Sequence, residues 1–410
     1  MRILFIISQI PYPWWFYGRS GYYFLLKSLS KYLDIHVSFP AIDIRDDNLT
    51  HLRNKGMNVY PFNLDTRDKY YKIILNLLEK KPFKIKKYWS ESYKKFLVEL
   101  VYSIKPDIIQ IHTPHMAQYG LELEKIFPDI PIVLRIHDIA IDLIKTYILN
   151  NKNLLKRFVA YWQLKKTEKY EVSIWNSFEK TIFITKKDKE NATIYSQNYG
   201  FNPGDKFTLI MDGISIKSNL YIQTKKKEHS LVFAASDQIQ NIESLNWFLR
   251  KIWFHIFDKT HFKLNIYGKI CQYFEKDKET LKLRKVFLKG FLEDRNELDF
   301  ELAKNSIFLS PTIVGSGIRT KILEAGSIGM PVLCTTFDFE PFSDYFQPGK
   351  HILVADNKDK FLKILREVEN GIISLQEISQ SFYSKLKEEF GWDITAKKFL
   401  NLYNQLLDSK

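Results

Sequence analysis

Residues 307–336 read IFLSPTIVGSGIRTKILEAGSIGMPVLCTT, and the order of features in this stretch decides the fold. Ile307–Leu309 is a short continuous apolar run, the pattern of a strand buried on both faces of a parallel sheet. A loop with Gly315 and Gly317 follows. The spacing predicts a helix from near Ile318 that ends by Gly329, and Pro331 then opens a second apolar run at Val332–Cys334. Strand, glycine loop, helix and strand in this order make one repeat of an α/β fold with a parallel sheet.

The loop and the helix start also carry chemistry. Glycines ahead of a helix let backbone amides approach an anion, and the helix N-terminus adds unpaired N–H groups and a favourable dipole. Arg319 and Lys321 fall in the first turn, where acids are normally favoured, so two bases there call for a bound anion such as a diphosphate. Glu324 lies three residues after Lys321 and seven after Gly317, on one helical face, where its carboxylate is able to accept hydrogen bonds from both hydroxyls of a ribose. The bland alternative is a plain glycine turn, solvated bases and a surface ion pair at Glu324.

Outward from this segment the same pattern recurs. Ile3–Ser8 reads as a buried strand, followed by a Pro-, Trp- and Gly-rich loop ending at Gly18-Arg19-Ser20-Gly21. Leu25, Leu26, Leu29 and Leu33 then recur at helical spacing. Further strands are expected at His36–Phe39, Asp107–His112, Ile132–His137 and Lys180–Thr185, and a mostly helical segment spans Leu143–Phe178. A second set begins at Leu231 and continues through Leu264–Tyr267, Val286–Leu288, Ile307–Leu309, Val332–Cys334 and Ile352–Val354. These are two successive α/β arrays, joined in the turn-rich stretch from Asn202-Pro203-Gly204 to Gly213. Two such domains are expected to leave a ligand cleft at the carboxyl ends of their strands.

The totals agree. At 410 residues the chain is long for one core, and with 45% hydrophobic and 26% charged residues it is globular in composition. A net charge of +14 favours anionic partners without choosing among them. Cys271 and Cys334 lie far apart and form no metal-type spacing, which reads as a reduced, cytoplasmic chain. The apolar stretch at the N-terminus, about eight residues, is too short for a signal or a membrane span, so any membrane contact is expected to be peripheral.

The 310–336 segment resembles the donor-binding helix of glycosyltransferase family 4, the group 1 glycosyltransferases. Ser310-Pro311, Gly315, Gly317, Lys321, Glu324-Ala325 and Gly329-Met330-Pro331-Val332 carry the likeness, and Glu340 matches the acid often found beyond the next strand. The likeness extends to Leu231–Ser236 with Asn241 and Phe248, to the turn Gly290–Asp294, to Asp212-Gly213-Ile214, and to Lys105-Pro106-Asp107, Arg135–Asp138 and Phe183–Thr185. It implies the GT-B fold, two Rossmann-like α/β domains with parallel sheets facing across a cleft. Residues 1–205 would bind acceptor, 206–385 would bind the nucleotide-sugar donor, and a helix in 386–410 would return to the N-terminal domain.

The resemblance also implies roles. His137, Lys321 and Glu324 are the expected catalytic residues. Gly315, Ser316, Gly317, Ile318, Arg319, Thr320, Asp237 and Glu340 are expected on the donor, and Gly18, Gly21 and His115 on the acceptor or phosphate side, with His112 an alternative to His115. Trp14, Trp15 and Tyr17 are read either as platforms for sugar or lipid or as internal packing. Two positions depart from the pattern: Ser316 stands eight before Glu324, where a second glutamate is common, and Asp237-Gln238 replace the commoner arginine. The implied reaction is retaining transfer from a nucleoside-diphosphate sugar to a glycan or lipid-linked acceptor in cell-envelope polysaccharide biosynthesis. No cofactor and no metal are expected; the Asp338-Phe339-Glu340 triplet has ligand-like spacing but fits donor-sugar contact better. A nucleotide-sugar epimerase of the same fold and a non-catalytic nucleotide-binding scaffold are the competing readings.

Finally, residues 69–95 interleave nine lysines with Tyr70, Tyr71, Phe83, Tyr88, Trp89 and Tyr93. Bases beside aromatics suit an anionic membrane surface, such as the inner face of the plasma membrane, and equally a solvated face of a lysine-rich protein. No nucleic-acid motif accompanies them, and nucleic acid is not an expected partner.

Overall fold

The computed structural model describes every residue except 14–18, 43, 68–75, 77–78, 152, 225–228, 314–319 and 410. The chain forms two compact units, one of Met1–Gly213 with Trp392–Lys410 and one of Ile214–Gly391.

In the first unit seven parallel strands run in the order β3-β2-β1-β4-β5-β6-β7. They are β1 (Arg2–Ile6), β2 (Asp34–Ala41), β3 (Met57–Asn63), β4 (Ile108–His112), β5 (Ile132–Ile136), β6 (Lys180–Phe183) and β7 (Phe207–Leu209). The helices are α1 (Ser20–Leu29), α2 (Asp46–Arg53), α3 (Phe83–Tyr88), α4 (Glu91–Ile104), α5 (Pro114–Ile126), α6 (Ala140–Asn150), α7 (Leu154–Ser177) and α8 (Lys186–Asn198). Period-two alternation divides the strand side chains between two cores. Ile3, Phe5, Val37 and Val133 pack with α1 and with the C-terminal helix Trp392–Asp408, through Phe399, Leu402 and Leu406. Leu4, Ile6, Ile111 and Leu134 pack on the other face with α4, α5 and α7.

Two strands escaped the sequence reading. β3 holds the sheet edge against β2 over seven paired residues, with Pro61 tolerated there because an edge strand need not donate on both sides. Its burial alternates only weakly, so no apolar run announces it. β7 is three residues long and pairs with β6, which carries the first unit past residue 205 to Gly213.

The second unit has six parallel strands in the order β10-β9-β8-β11-β12-β13. They are β8 (Ser230–Ala234), β9 (Lys263–Tyr267), β10 (Val286–Gly290), β11 (Ile307–Ser310), β12 (Val332–Cys334) and β13 (Leu353–Val354). Helices α9 (Leu220–Gln223), α10 (Ile239–Lys251), α11 (Cys271–Phe274), α12 (Lys278–Leu283), α13 (Arg295–Ala303), α14 (Thr320–Ser327), α15 (Thr336–Phe339), α16 (Lys358–Glu369) and α17 (Leu375–Phe390) complete it. The strand–helix–strand unit expected at 307–334 is thus β11–α14–β12. Gly329 follows α14 in the left-handed region at φ 82°, the usual glycine stop. Gly326 inside α14 is required by packing: a Cβ there would lie 2.4 Å from the Phe382 ring of α17.

Strand order reverses between β1 and β4 in the first unit and between β8 and β11 in the second. Open parallel sheets bind ligands outside the carboxyl ends of the strands at such points.

Candidate active site

The second unit assembles its polar residues around the β8/β11 reversal. Lys321, in the first turn of α14, donates from Nζ to Asn241 Oδ1 of α10 at 3.1 Å and lies 5.2 Å from the centre of the Phe233 ring. Its ammonium is held at the reversal point by an element that follows β8. Glu324, one turn on, is engaged by Arg295 of α13 at 2.9 Å. Arg295 also bonds Asp299 at 3.1 Å, and Asp299 in turn pairs with Lys217. The two carboxylates raise the Arg295 pKa against the opposing effect of burial.

Asp294 opens α13 as its cap, accepting from the Asn296 amide at 2.7 Å. The matched Gly290–Asp294 turn therefore starts the helix that delivers Arg295. Sequence reading missed Arg295 although the signal was present: a base in the first turn of a helix, the same irregularity that marked Lys321.

Asp338 turns out to be a structural carboxylate. It is fully buried and accepts from Ser310 Oγ at 2.5 Å and from the Thr312 amide at 3.1 Å, tying the end of β11 to α15. A donor-sugar contact through Asp338 is thereby corrected, because its oxygens serve the strand ends. Glu340 and Asp237 are exposed, as is Thr320 at the described start of α14. Gly315, Ser316, Gly317, Ile318 and Arg319 lie outside the described residues, as does Gly18.

In the first unit Gly21, His112 and His137 come together beside the β1/β4 reversal. A Cβ on Gly21 would stand 3.1 Å from Asp212 Oδ2 and 3.8 Å from His137 Cε1, so the first turn of α1 leaves little room for a side chain there. Asp212 pairs with Arg135, which is wholly buried and lies 5.4 Å from the centre of the Phe399 ring.

A hydrogen-bonded series runs through the same layer. Tyr403 donates to Gln110 Oε1, which turns the Gln110 amide nitrogen toward His112 Nε2 at 2.7 Å. That nitrogen must then accept, so neutral His112 carries its proton on Nδ1, 3.4 Å from His137 Nε2. His137 in turn accepts at Nε2 and keeps Nδ1–H as a donor. Burial together with the Arg135 cation lowers the His137 pKa to about 4, with Asp212 opposing. His115, set apart from this series, stacks on Tyr88 at 4.8 Å, and burial beside Lys84 and Lys87 lowers its pKa to about 3.

Behind His137, Glu171 of α7 accepts the Ala140 and Ile141 amides at 3.1 and 3.2 Å and so holds the start of α6. Burial raises its pKa to about 8 despite those bonds.

These shifts predict the pH dependence of stability. A histidine depressed from its usual 6.5 contributes stability that is complete above that value and is lost as pH falls through the folded pKa. Melting temperature should therefore drop between pH 6.5 and about 4, and His115→Phe should flatten the drop. Glu171 has the opposite sign: its contribution is lost as pH rises from 4.5 to about 8, so Glu171→Gln should lessen the decline on that side. Thermal melts at stepped pH read both slopes.

Among the described residues no group of three or more His, Cys, Asp or Glu is placed to hold a metal ion. No helix among them is long and apolar enough to cross a membrane.

Comparison with known proteins falls on the same residues. The family model for glycosyl transferases group 1 matches residues 228–370, which contain β8 to α14, Arg295, Lys321 and Glu324. An uncharacterized 44.6 kDa protein in the cps region of Klebsiella pneumoniae is 23% identical over 284 residues, covering 67% of this chain and 68% of that protein. Among solved structures, Anabaena Alr3699/HepE in complex with UDP superposes with a TM-score of 0.66 at 13% identity, covering 99% of this chain and 100% of that one. Sucrose-phosphate synthase from Thermosynechococcus elongatus gives 0.66 at 12%, with all of both chains covered. With that family match over the second unit and that fold over the whole length, the chain is a glycosyltransferase of GT-B fold whose residues 228–370 form a group 1 glycosyl transferase domain.

Proposed function

We propose that this glycosyltransferase takes its sugar from a nucleoside-diphosphate sugar bound by the second unit, with Lys321 on the diphosphate and Glu324 on the ribose. The observation that carries the reading is Lys321 at the β8/β11 reversal, held there by Asn241. Arg319, two residues before it in sequence, adds a second base. A uridine nucleotide is the first donor to test, since a similar structure holds UDP.

Bond breaking at the anomeric carbon leaves negative charge on the departing diphosphate. Fixed donors aimed at that charge lower the barrier by preorganisation. As proposed, Lys321, Arg319 and the α14 amides supply these donors and the reaction runs without a divalent ion. Transfer is retaining: the sugar–diphosphate bond breaks, the bond to the acceptor oxygen forms on the same face, and the acceptor proton passes to the leaving phosphate. His137 Nδ1–H serves as a donor to a sugar hydroxyl. The acceptor is a glycan or lipid-linked saccharide of the cell envelope, made on the cytoplasmic side. The relative in a cps region supports that assignment.

The test is a thermal-shift screen of nucleoside diphosphates and their sugars, followed by product analysis with envelope glycans. A selective ligand at 100 times its dissociation constant stabilises the native state by about 2.7 kcal/mol. Glu324→Ala should weaken nucleoside-diphosphate binding about tenfold while inorganic pyrophosphate binding is unchanged. Donor turned over with no acceptor to an epimeric sugar would sink the transferase reading, and binding without turnover would leave a scaffold.

A further inference from the structure

We infer that the α6–α7 hairpin of the first unit is a docking surface for an anionic lipid bilayer. The inference concerns a surface apart from the donor residues and does not depend on which nucleotide they bind.

The hairpin is unusual in what it exposes. Leu149 near the end of α6 is 80% exposed, and Leu154, Leu155 and Phe158 in the first turns of α7 are 76%, 73% and 60% exposed. Tyr161 and Trp162 are exposed next to them. Single exposed apolar residues are ordinary, but six large ones within 14 positions form a patch that water penalises. The start of α7 is well-formed helix, since the Asn153 side chain caps it by accepting the Lys156 amide at 3.0 Å. From Leu164 onward the same helix is anchored, with Thr167, Glu171, Val172, Ile174 and Trp175 buried. The exposed turns therefore project from a fixed base.

Charge selects the occupant. Between Leu143 and Thr167 the sequence carries six bases and no acid. Lys156, Arg157 and Lys165 are exposed among the apolar side chains. A second copy of this chain would bring two such basic faces together, which like-charge repulsion opposes. A nucleic acid would leave the aliphatic Leu149, Leu154 and Leu155 without a partner, because base stacking needs aromatic platforms. An interface of acidic headgroups over acyl chains satisfies bases and leucines at once.

The lysine stripe at 69–95 is the weaker surface. Three of its aromatics are spent internally: Tyr88 stacks on His115, Trp89 on Tyr119 at 5.0 Å, and Tyr93 is buried. α6 also begins three residues after His137, and Glu171 of α7 clasps its first amides. A docked hairpin would therefore hold the His137 loop close to the bilayer, where a lipid-linked acceptor resides.

The experiment is co-sedimentation of the full chain with vesicles of phosphatidylglycerol and phosphatidylethanolamine, and with phosphatidylcholine vesicles, at two salt concentrations. The chain should bind the anionic vesicles at least about tenfold more tightly, less so at high salt. The variant L154S/L155S/F158S should lose at least about tenfold in binding, and K156Q/R157Q should bind more weakly with a shallower salt dependence. K84Q/K86Q/K87Q should bind as the parent does. Melting temperatures establish that each variant is folded, and release of nucleoside diphosphate with a water-soluble acceptor should be unchanged in all of them. Failure of that release in the parent would count against the donor reading alone. Equal binding by L154S/L155S/F158S and the parent, no binding to anionic vesicles, or a dimer abolished by the leucine substitutions would each overturn the docking proposal.

Discussion

Replacing Lys321 with alanine is expected to lower kcat/KM for sugar transfer by about 100-fold, with most of the loss in kcat. A charged donor aimed at a developing anion is worth about 10²–10³ in rate. Lys321 contributes little to the fold by comparison. It is half-buried, its ammonium bonds the neutral Asn241 amide, and the apolar side of α14 is carried by Ile322, Leu323 and Ala325. Activity and stability should therefore separate, with transfer collapsing while the melting temperature moves little. Lys321→Arg should recover only part of the rate, because a planar guanidinium does not replace a compact ammonium on Asn241. Steady-state kinetics with the best donor from the ligand screen read these outcomes. Normal transfer by Lys321→Ala would remove the diphosphate from this residue.

Asp212→Asn should show the reverse pattern, a loss of stability of about 3 kcal/mol, because removing one member of a buried ion pair strands the other. Arg135 has no exposure to water, and its Nε and Nη1 find no acceptor among the described residues, so Asp212 is its principal compensation. An amide at 212 keeps the shape and withdraws the charge. The double variant Arg135→Met with Asp212→Asn should regain most of the loss, since it no longer leaves a buried guanidinium without its counter-charge. Denaturant unfolding of the four proteins in this cycle measures the coupling directly. Additive losses would show that the pair contributes packing alone.

Both results trace back to what the chain displays in one dimension and what it hides. Apolar runs such as Ile307–Leu309, Val332–Cys334 and Ile132–Leu134 are legible because a strand covered on both faces is apolar along most of its length. Edge strands need not be: β3 reads as MNVYPFN, and β7 has three residues. Lys321 and Glu324 could be placed because one helix carries both, and helical spacing is readable. Arg295, Asn241 and Lys217 join them from separate elements, and no local spacing reports which helices will abut. Asp338 misled for the same reason, since its partners Ser310 and Thr312 stand on another strand end. The pairing of Arg135 with Asp212 was equally invisible, although both lie in stretches that the family resemblance marked. The membrane expectation moved for a physical reason too. Tyr88, Trp89 and Tyr93 of the 69–95 stripe turn inward, whereas Leu149, Leu154 and Leu155 have nothing among the described residues to cover them.

The most direct measurement is a crystal structure of the chain with UDP. The account predicts the diphosphate within about 3 Å of Lys321 Nζ, the charge-assisted distance, with the ribose hydroxyls on Glu324. A diphosphate bound elsewhere, with Lys321 still on Asn241 and Glu324 still on Arg295 alone, would contradict it.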